Sequence, residues 1–324
     1  MPKRPRAVAD PGDALHPDLT AGAMPTPILL QPGTLWPALV ECTRRALASG
    51  ALQPIATQQR FIDDAGIRFA IRKVDSLARK DEGHRQQQPG DHASRNPFLP
   101  YEEALLVALI TSTHVALLNK FNVIDHHLLI VTRRFEHQQA LLTPDDFIAL
   151  AACLQEFDAL AFYNAGQAAG ASQAHKHLQL VPLPLADGFH GVPIEPLFDA
   201  VRGKRGVCTV PGFGFRNAFA WLDERLPADV VATGNSLCTL YRALLDAAGL
   251  RGSDADGDVR QSAPYNLLVT RRWMLLVPRS RECFADLSIN ALGYAGSLFV
   301  KDDAAFETLR RTGPLSVLRE VAVG

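Results

Sequence analysis

Two histidines and a glutamine alternate along one short segment of the chain. His175, His177 and Gln179 stand two residues apart in AHKHLQLVP, residues 174–182. Side chains two residues apart point to the same face of a β-strand, so these three are predicted to lie together. A neutral imidazole attacks phosphorus well when its second nitrogen is anchored and one tautomer is fixed. The spacing therefore predicts a strand that presents a histidine nucleophile to a phosphate group.

The segment before the histidines, GQAAGAS (166–172), consists mainly of small residues. The backbone N–H groups of such a turn can approach an anion closely, and donors there stabilise negative charge on phosphoryl oxygens. Two histidines on a strand also occur as surface residues or as part of a zinc site. A zinc site needs a third ligand, and glutamine is a poor one, so Gln179 favours phosphate contact.

The composition excludes several classes of function. The chain has 324 residues, 47% of them hydrophobic, and a formal net charge of -1, which gives no general attraction to nucleic acid. No stretch is long and apolar enough to span a bilayer, and the N-terminus does not read as a secretory signal. The five scattered cysteines contain no C-x-x-C pair and fit free thiols in a reducing compartment. We therefore expect a cytoplasmic protein with neither a nucleic-acid nor a membrane partner.

Strands come in clusters with helices between them, which favours an α+β fold. Apolar residues at helical spacing predict a helix over 35–50, and a second helix is expected to begin at Thr143, ahead of a proline and two acids. A third is predicted from a cap at Asn235 to near Gly249. The predicted strands are 66–74, 105–110, 114–121, 126–133, 160–166 and 176–184, followed by a hairpin or one long bent strand over 265–279.

Three stretches are predicted to lack regular structure. Residues 1–33 are rich in Pro, Ala and Asp and are expected to form a poorly ordered N-terminal arm. Residues 81–97 and 251–262 are polar and are expected to be surface loops.

The run from Asn96 to Pro184 resembles the diadenosine tetraphosphate phosphorylase (ATP adenylyltransferase) family, a branch of the histidine-triad superfamily that also contains galactose-1-phosphate uridylyltransferase. The matching segments are NPFLPYE, HVALLNKFNVIDHHLLIVTRRFEHQ, LTPDDF, LAFYNAGQAAGASQAHKHLQLVPLP and, further on, YNLLVTRRWMLLVPRS and NALGYAGSLFVKD. The resemblance implies a histidine-triad-like antiparallel sheet with flanking helices. It also implies that 34–324 is a single catalytic unit, in which the half to about residue 200 carries H-x-H-x-Q and the half from about 201 completes the site.

The resemblance assigns roles by position. It implies that His177 is the nucleophile that becomes adenylylated, that His175 supports the site geometry, and that Gln179 hydrogen-bonds the phosphoryl group in place of a third histidine. Substrate contacts are implied for Gly170, Ala171, Ser172 and Gln173 around the phosphates, and for Lys80, Asn119, Lys120, Asn164, Tyr265, Asn266 and Arg271. No metal ligand is assigned.

Some of these positions also fit plainer interpretations. Lys120 could be a charged residue on a strand edge, and Asn164 could be a turn residue. Arg271 could lie in solvent at a hairpin tip, and Tyr265 could serve packing. Lys80 follows an arginine where the family tends to show two lysines. His126 and His127 are interpreted as strand residues without a role.

The implied reaction is a two-step adenylyl transfer. His177 attacks the α-phosphorus of diadenosine tetraphosphate, ATP departs, and inorganic phosphate attacks the adenylyl-histidine to give ADP. No tightly bound cofactor is implied, and a divalent ion such as Mg²⁺ is expected to accompany the polyphosphate.

Three alternatives stay open at this stage. Adenylyl sulfate in place of the dinucleotide would give ADP and sulfate through the same histidine. A uridylyltransferase acting on sugar phosphates is less favoured, because its family usually has proline where this chain has Lys176. A nucleotide-binding sensor without chemistry would not need the nucleophile. The sequence leaves the oligomeric state and the physiological direction of the reaction undecided.

Overall fold

The computed structural model describes residues 26–74, 96–222, 229–250, 252–255 and 258–324. Its strands are β1 (Thr57–Asp64), β2 (Ile67–Val74), β3 (Leu106–Leu109), β4 (His114–Leu118), β5 (Leu128–Thr132), β6 (Ala159–Ala165), β7 (His177–Pro182), β8 (Ala218–Trp221), β9 (Gly252–Ala255), β10 (Asp258–Gln261), β11 (Tyr265–Val269), β12 (Trp273–Pro278), β13 (Cys283–Phe284), β14 (Leu287–Ser288) and β15 (Ser297–Val300). Its helices are α1 (Leu35–Ser49), α2 (Pro144–Leu154), α3 (Val230–Ala247), α4 (Ala291–Tyr294), α5 (Asp303–Thr312) and α6 (Pro314–Val321).

An antiparallel sheet of eight strands, in the order β3-β4-β5-β7-β6-β11-β12-β8, forms the centre of the fold. A smaller sheet has the order β1-β2-β15, with β15 parallel to β2. In the large sheet β6 pairs with β11, so strands from both halves of the chain are joined edge to edge. The predicted α+β class with a large antiparallel sheet and flanking helices is confirmed.

The large sheet is covered on both faces, which explains why its strands read as nearly continuous apolar runs. On one face, which we call the helix face, side chains such as Ile130 and Leu178 pack with residues of α1, α2 and α3. On the other, which we call the site face, residues of β6, β11 and β12 pack under the small sheet and the C-terminal helices. The site face of β4 and β5 forms a smaller cluster with Phe98.

Most predicted elements are confirmed within one to three residues at each end. The predicted start of α2 is also confirmed, because Thr143 and Asp146 form a reciprocal capping box with Pro144 in the first turn. The 265–279 segment is a hairpin, with β11 paired antiparallel to β12.

Two predictions are wrong. Residues 251–262 were expected to be a loop, but β9 and β10 pair as a two-stranded ribbon, which needs no apolar pattern because main-chain hydrogen bonds form it. Asn235 does not cap α3; Asp229 does, accepting from the N–H groups of Val231 and Ala232. The helix continues through Gly234, where a Cβ would lie 2.6 Å from the Cα of Ile148, so the glycine lets α3 approach α2 closely.

Two other expected irregular stretches fall largely outside the described residues. Of the predicted N-terminal arm only 26–33 is described, and there the N–H groups of Leu29 and Leu30 donate to the carbonyl of Ile110. Of the predicted loop 81–97 only the last two residues are described. None of the helices in the described ranges combines the length and apolar character that crossing a membrane requires.

Candidate active site

The three alternating polar residues lie together on the site face, as their spacing predicted. His177 and Gln179 stand on β7 opposite Val131 and Leu129 of β5, whose side chains form the cluster with Phe98. The ring of Phe98 lies 5.6 Å from that of His175 and 5.3 Å from that of His177. Leu178, between them, points to the helix face.

The His177 ring is held in one tautomer. Its Nδ1 lies 2.8 Å from the carbonyl oxygen of His175, which can only accept, so Nδ1 carries the proton. Nε2 then has a free lone pair, and no described residue hydrogen-bonds to it. Burial lowers the pKa of the His177 imidazole to about 4, so the ring is neutral at physiological pH. This arrangement presents an unprotonated, oriented nitrogen nucleophile.

His175 is fixed from both sides of its ring. Nε2 lies 2.9 Å from the carbonyl oxygen of Thr132 and must donate to it, so Nδ1 accepts from the Asn96 amide at 2.9 Å. Burial lowers the pKa of His175 as well. The carbonyl of His175 accepts from the His177 ring. Because His175 is held in place, it also fixes the orientation of that ring.

The amide of Gln179 is oriented by a residue to which the sequence interpretation gave no role. His127 Nε2 lies 2.9 Å from Gln179 Oε1 and donates to it, while His127 Nδ1 accepts from the Asn119 amide at 3.2 Å. Burial lowers the pKa of His127 to about 4, which keeps it neutral. With Oε1 occupied, the NH₂ group of Gln179 remains a donor. His126, by contrast, lies against α1, with Nδ1 3.0 Å from Thr43 Oγ1.

Gln138 is a second residue that sequence reasoning missed. Its side chain is 1% exposed and lies between β6 and β7, where it replaces ladder hydrogen bonds. Oε1 accepts from the N–H of His177 at 2.9 Å, and Nε2 donates to the carbonyl of Asn164 at 2.9 Å. The sequence does not show which strands Gln138 joins. The one signal for a role was its position in the segment FEHQ, which matches the family.

The segment from Gly166 to Gln173, which we call the glycine loop, leads from β6 into the histidines. Gly166 and Gly170 have positive φ angles, +89° and +87°, and a 3-10 turn over Gln167–Ala169 separates them. No described residue accepts from the N–H groups of Ser172 and Gln173, so both are available to an anion. Positive-φ glycines and N–H groups without a protein acceptor are features of backbone anion sites, so the loop is a candidate phosphate-binding segment.

Gly170→Ala is expected to disturb this loop. The alanine would be strained at the positive φ angle, and its Cβ would lie 2.7 Å from the Cβ of Asn290. We expect a loss of about 1–3 kcal/mol in the free energy of unfolding, together with weaker nucleotide binding.

Gly188→Ala is the matched control for this substitution. Gly188 has a φ of +82° but no heavy atom within 4 Å of a built Cβ. Chemical denaturation and nucleotide titration of both variants separate backbone strain from loop packing. Equal effects in the two variants would contradict a packing role for Gly170.

Asn164 and Asn266 lie side by side next to the glycine loop. Phe162 is opposite Gln179, which places Asn164 beside His177 on the site face. Asn266 Nδ2 donates to Asn164 Oδ1 at 2.9 Å and to the Ala169 carbonyl at 2.8 Å. Both asparagines are almost fully buried, and their nucleotide contacts stay a prediction.

Two C-terminal predictions must be corrected. Tyr265 is on the helix face, where its hydroxyl bonds that of Tyr241 at 2.5 Å, because neighbouring residues of a strand point to opposite faces. Arg271 lies in the turn at the other end of β11 from Asn266, and its Nε donates to the Leu154 carbonyl at 2.5 Å. Neither side chain is brought to His177.

The remaining predicted residues are placed as follows. Asn119 contacts His127 as described, and Lys120 is half exposed with its Nζ 2.7 Å from Glu102 Oε2. Lys80 lies outside the described residues. No cluster of three or more histidine, cysteine or acidic side chains with metal-binding geometry occurs among the residues that the structure describes.

Lys176, between the two histidines, is fully buried on the helix face. Its Nζ lies 2.7 Å from Asp146 Oδ2 and 2.7 Å from Glu136 Oε2, while His114 Nε2 is 3.0 Å from Asp146 Oδ1. Burial by itself raises the pKa of Asp146, but His114 and Lys176 outweigh it and hold that pKa well below its usual range. Burial lowers the pKa of Lys176, but Asp146 and Glu136 outweigh it, so that pKa is raised. A charged pair therefore lies on the helix face, on the opposite side of the strand from His177.

Residues 25–200 match the model of the Ap4A phosphorylase N-terminal domain, and residues 211–324 match that of the ATP adenylyltransferase C-terminal domain. Protein APA1 of Saccharomyces cerevisiae is 30% identical over 299 residues, covering 82% of this chain and 86% of the yeast protein. Diadenosine 5',5'''-P1,P4-tetraphosphate phosphorylase 2 of the same yeast is 30% identical over 259 residues, covering 72% of this chain and 76% of that protein. The chain belongs to the Ap4A phosphorylase family.

The fold agrees with this family. The crystal structure of yeast Ap4A phosphorylase Apa2 has a TM-score of 0.73 at 24% sequence identity, over 91% of this chain and 95% of that chain. The same yeast protein in complex with AMP gives 0.70 at 24% identity, over 90% and 97% of the two chains. The resemblance predicted from the sequence motifs is confirmed.

The two domain models of the Ap4A phosphorylase family meet within the fold of this chain. The boundary between residues 200 and 211 precedes β8, which is an edge strand of the large sheet. β6 of the first match pairs with β11 of the second, and Asn164 contacts Asn266 across that border. Residues of both matched segments therefore line the region beside His177.

Two neutral buried histidines predict a pH dependence of stability. Unfolded histidine titrates near 6.5, whereas the pKa of His127 and of His177 is about 4 in the folded chain. Between these values the unfolded state binds more protons, so the free energy of unfolding should fall as pH drops from about 6.5 to 4. Denaturation at a series of pH values measures this slope, and His127→Gln should reduce it. Stability that rises on acidification through this window would contradict the assignment.

Proposed function

We propose that the protein transfers an adenylyl group from diadenosine tetraphosphate (Ap4A) to inorganic phosphate, giving ADP and ATP. The observation that carries this proposal is the fixed, neutral His177 ring, with its proton on Nδ1 and its Nε2 lone pair unoccupied. Family membership supports the substrate class, since one of the yeast relatives is named as an Ap4A phosphorylase. The protein is on this account a nucleotidyltransferase.

The first step forms a bond between His177 Nε2 and the α-phosphorus, and breaks the bond from that phosphorus to the bridging oxygen. ATP leaves with the electron pair of that bond. The adenylylated imidazole carries a positive charge, which its Nδ1–H shares with the His175 carbonyl at 2.8 Å. On this account, the free NH₂ of Gln179 and the loop N–H groups of Ser172 and Gln173 stabilise the negative charge on the non-bridging oxygens.

In the second step, an oxygen of inorganic phosphate attacks the same phosphorus and the P–N bond breaks. ADP leaves, and His177 returns to its neutral form with the electron pair on Nε2. A covalent intermediate replaces one difficult displacement with two easier ones. Each step exchanges one bond to the α-phosphorus for another, so the same site can run the reaction in either direction. A divalent ion such as Mg²⁺ would accompany the polyphosphate, whose oxygens are the hard ligands that it prefers.

The proposal treats residues 34–324 as a single catalytic unit. Support comes from the large sheet, which both halves build, and from the contact between Asn164 and Asn266.

We also place the reaction in the cytoplasm. The five cysteines are free thiols, which fits a reducing compartment.

A phosphate-dependent turnover assay tests the function. Purified protein is given Ap4A or adenylyl sulfate with inorganic phosphate, and ADP, ATP and sulfate are measured. We expect equal amounts of ADP and ATP from Ap4A, with the rate dependent on phosphate. ADP and sulfate from adenylyl sulfate, with no turnover of Ap4A, would keep the nucleophile but overturn the substrate. Tight nucleotide binding without turnover of either compound would overturn the enzyme assignment.

A further inference from the structure

Arg279 is a buried arginine at the end of β12, beside the glycine loop. Its side chain is 1% exposed. Nη1 donates to Asn266 Oδ1 at 2.6 Å and to the Ile289 carbonyl at 2.9 Å. Nη2 donates to the carbonyls of Arg281 and Glu282, and Nε donates to that of Val321. These acceptors are one amide oxygen and main-chain carbonyls rather than carboxylates.

The arginine connects three segments that are distant in sequence. Its acceptors belong to β11, to the stretch 281–289 and to the end of α6. A planar guanidinium with five donors in a fixed fork satisfies all of them at once, which a lysine with three donors on one atom cannot do. Because a buried carbonyl without a hydrogen-bond donor is destabilising, the fork is a strong constraint on these segments.

The constraint passes from Arg279 to the glycine loop through Asn266. With its Oδ1 held by Arg279, the amide of Asn266 turns its Nδ2 toward Ala169, whose carbonyl accepts at 2.8 Å. Arg279 Nη1 reaches the same carbonyl at 3.5 Å. The next residue, Gly170, packs against the main chain of Ile289 and Asn290, the segment that Arg279 also binds.

We propose that Arg279 is a positioning residue that holds the glycine loop in the shape that binds the phosphate of an adenine nucleotide. The inference rests on the proposed function, since it assigns the loop to that phosphate. Arg279 itself does not touch the reacting atoms; it fixes Ala169 and Gly170, and thereby the N–H groups that follow at Ser172 and Gln173.

The test compares the affinity of the full chain for AMP with its affinity for adenosine, measured by calorimetric titration. The ratio of the two dissociation constants isolates the contribution of the phosphate. We expect Arg279→Met to weaken AMP binding roughly 10- to 100-fold, the equivalent of about one lost hydrogen bond to a charged group, and to leave adenosine binding nearly unchanged. Arg279→Lys should lose most of the same ratio, because it keeps the charge but not the fork.

Arg72→Met is the matched control. Arg72 is also a buried arginine, 7% exposed, and donates to Ser297 Oγ at 2.7 Å and to the Leu185 carbonyl at 2.8 Å. It should lower stability while leaving the ratio between AMP and adenosine unchanged. Should Arg279→Met fail to fold, Arg279→Lys carries the test alone.

The outcomes separate this proposal from the proposed function. A wild-type ratio in both Arg279 variants, with reduced stability, would mean that the residue is only structural and would overturn the proposal. A wild-type ratio in Arg279→Lys alone would show that the charge suffices, which also overturns the role of the fork. A wild-type protein that binds AMP no better than adenosine would instead contradict the proposed function.

Discussion

His177→Ala should lower the rate of phosphate-dependent Ap4A cleavage by about 10⁴-fold or more, because it removes the atom that forms the covalent intermediate. Alanine fits within the space that the imidazole occupied. The substitution removes one hydrogen bond, from His177 Nδ1 to the His175 carbonyl, so the fold should persist. Nucleotide binding should change far less than turnover. Steady-state kinetics together with AMP titration measures the two effects separately.

His190→Ala serves as the control for this result. His190 is exposed and has no place in the site, so its replacement should leave the rate unchanged. His175→Ala should give an intermediate loss, because the carbonyl that orients His177 remains but its support from Thr132 and Asn96 is gone. Residual activity in His177→Ala near the wild-type rate would exclude this histidine as the nucleophile.

Lys176→Met should destabilise the protein by about 3–5 kcal/mol, since it leaves Asp146 charged and buried with much less compensation. Asp146 is 1% exposed, and its carboxylate also completes the capping box of α2, so moving it into solvent would break that box. The free energy of unfolding from urea denaturation measures the loss.

A matched surface pair shows whether burial is the cause. Lys301 and Asp286 form an ion pair at 2.9 Å with side chains 46% and 80% exposed, so Lys301→Met should change stability little. Combining Lys176→Met with Asp146→Asn should recover part of the loss by removing the unpaired charge. Equal stability of Lys176→Met and Lys301→Met would contradict the importance of the buried pair.

The sequence predicted the site best where the chemistry lies on one strand. The alternation of His175, His177 and Gln179 needs only the two-residue period of a strand, so their common face followed directly. The same period also shows why Tyr265 and Asn266 cannot both face the site. Which of the two does so depends on the register of β11 against β6, and the local sequence does not show that register.

Residues that act through long-range contacts were missed for a related reason. Gln138, His127 and Arg279 have partners on other strands or in distant segments, and nothing in their local sequence shows those partners. Arg271 and Arg279 stand at opposite ends of one hairpin, so motif matching alone cannot decide which arginine lies near the glycine loop. The helix caps show the same limit. Asp229 and Asn235 both have the right chemistry, and the close approach of Gly234 to Ile148, which accompanies the earlier start of α3, is a long-range contact.

The central claim is that His177 Nε2 accepts an adenylyl group. Wild-type protein and His177→Ala are mixed with Ap4A in the absence of phosphate, and each intact mass is measured, followed by peptide mapping. The account predicts a mass increase of one adenylyl group on the wild-type chain, mapped to His177 and removed when phosphate is added. An unmodified wild-type chain that still turns over Ap4A, or an adduct on another residue, would contradict it.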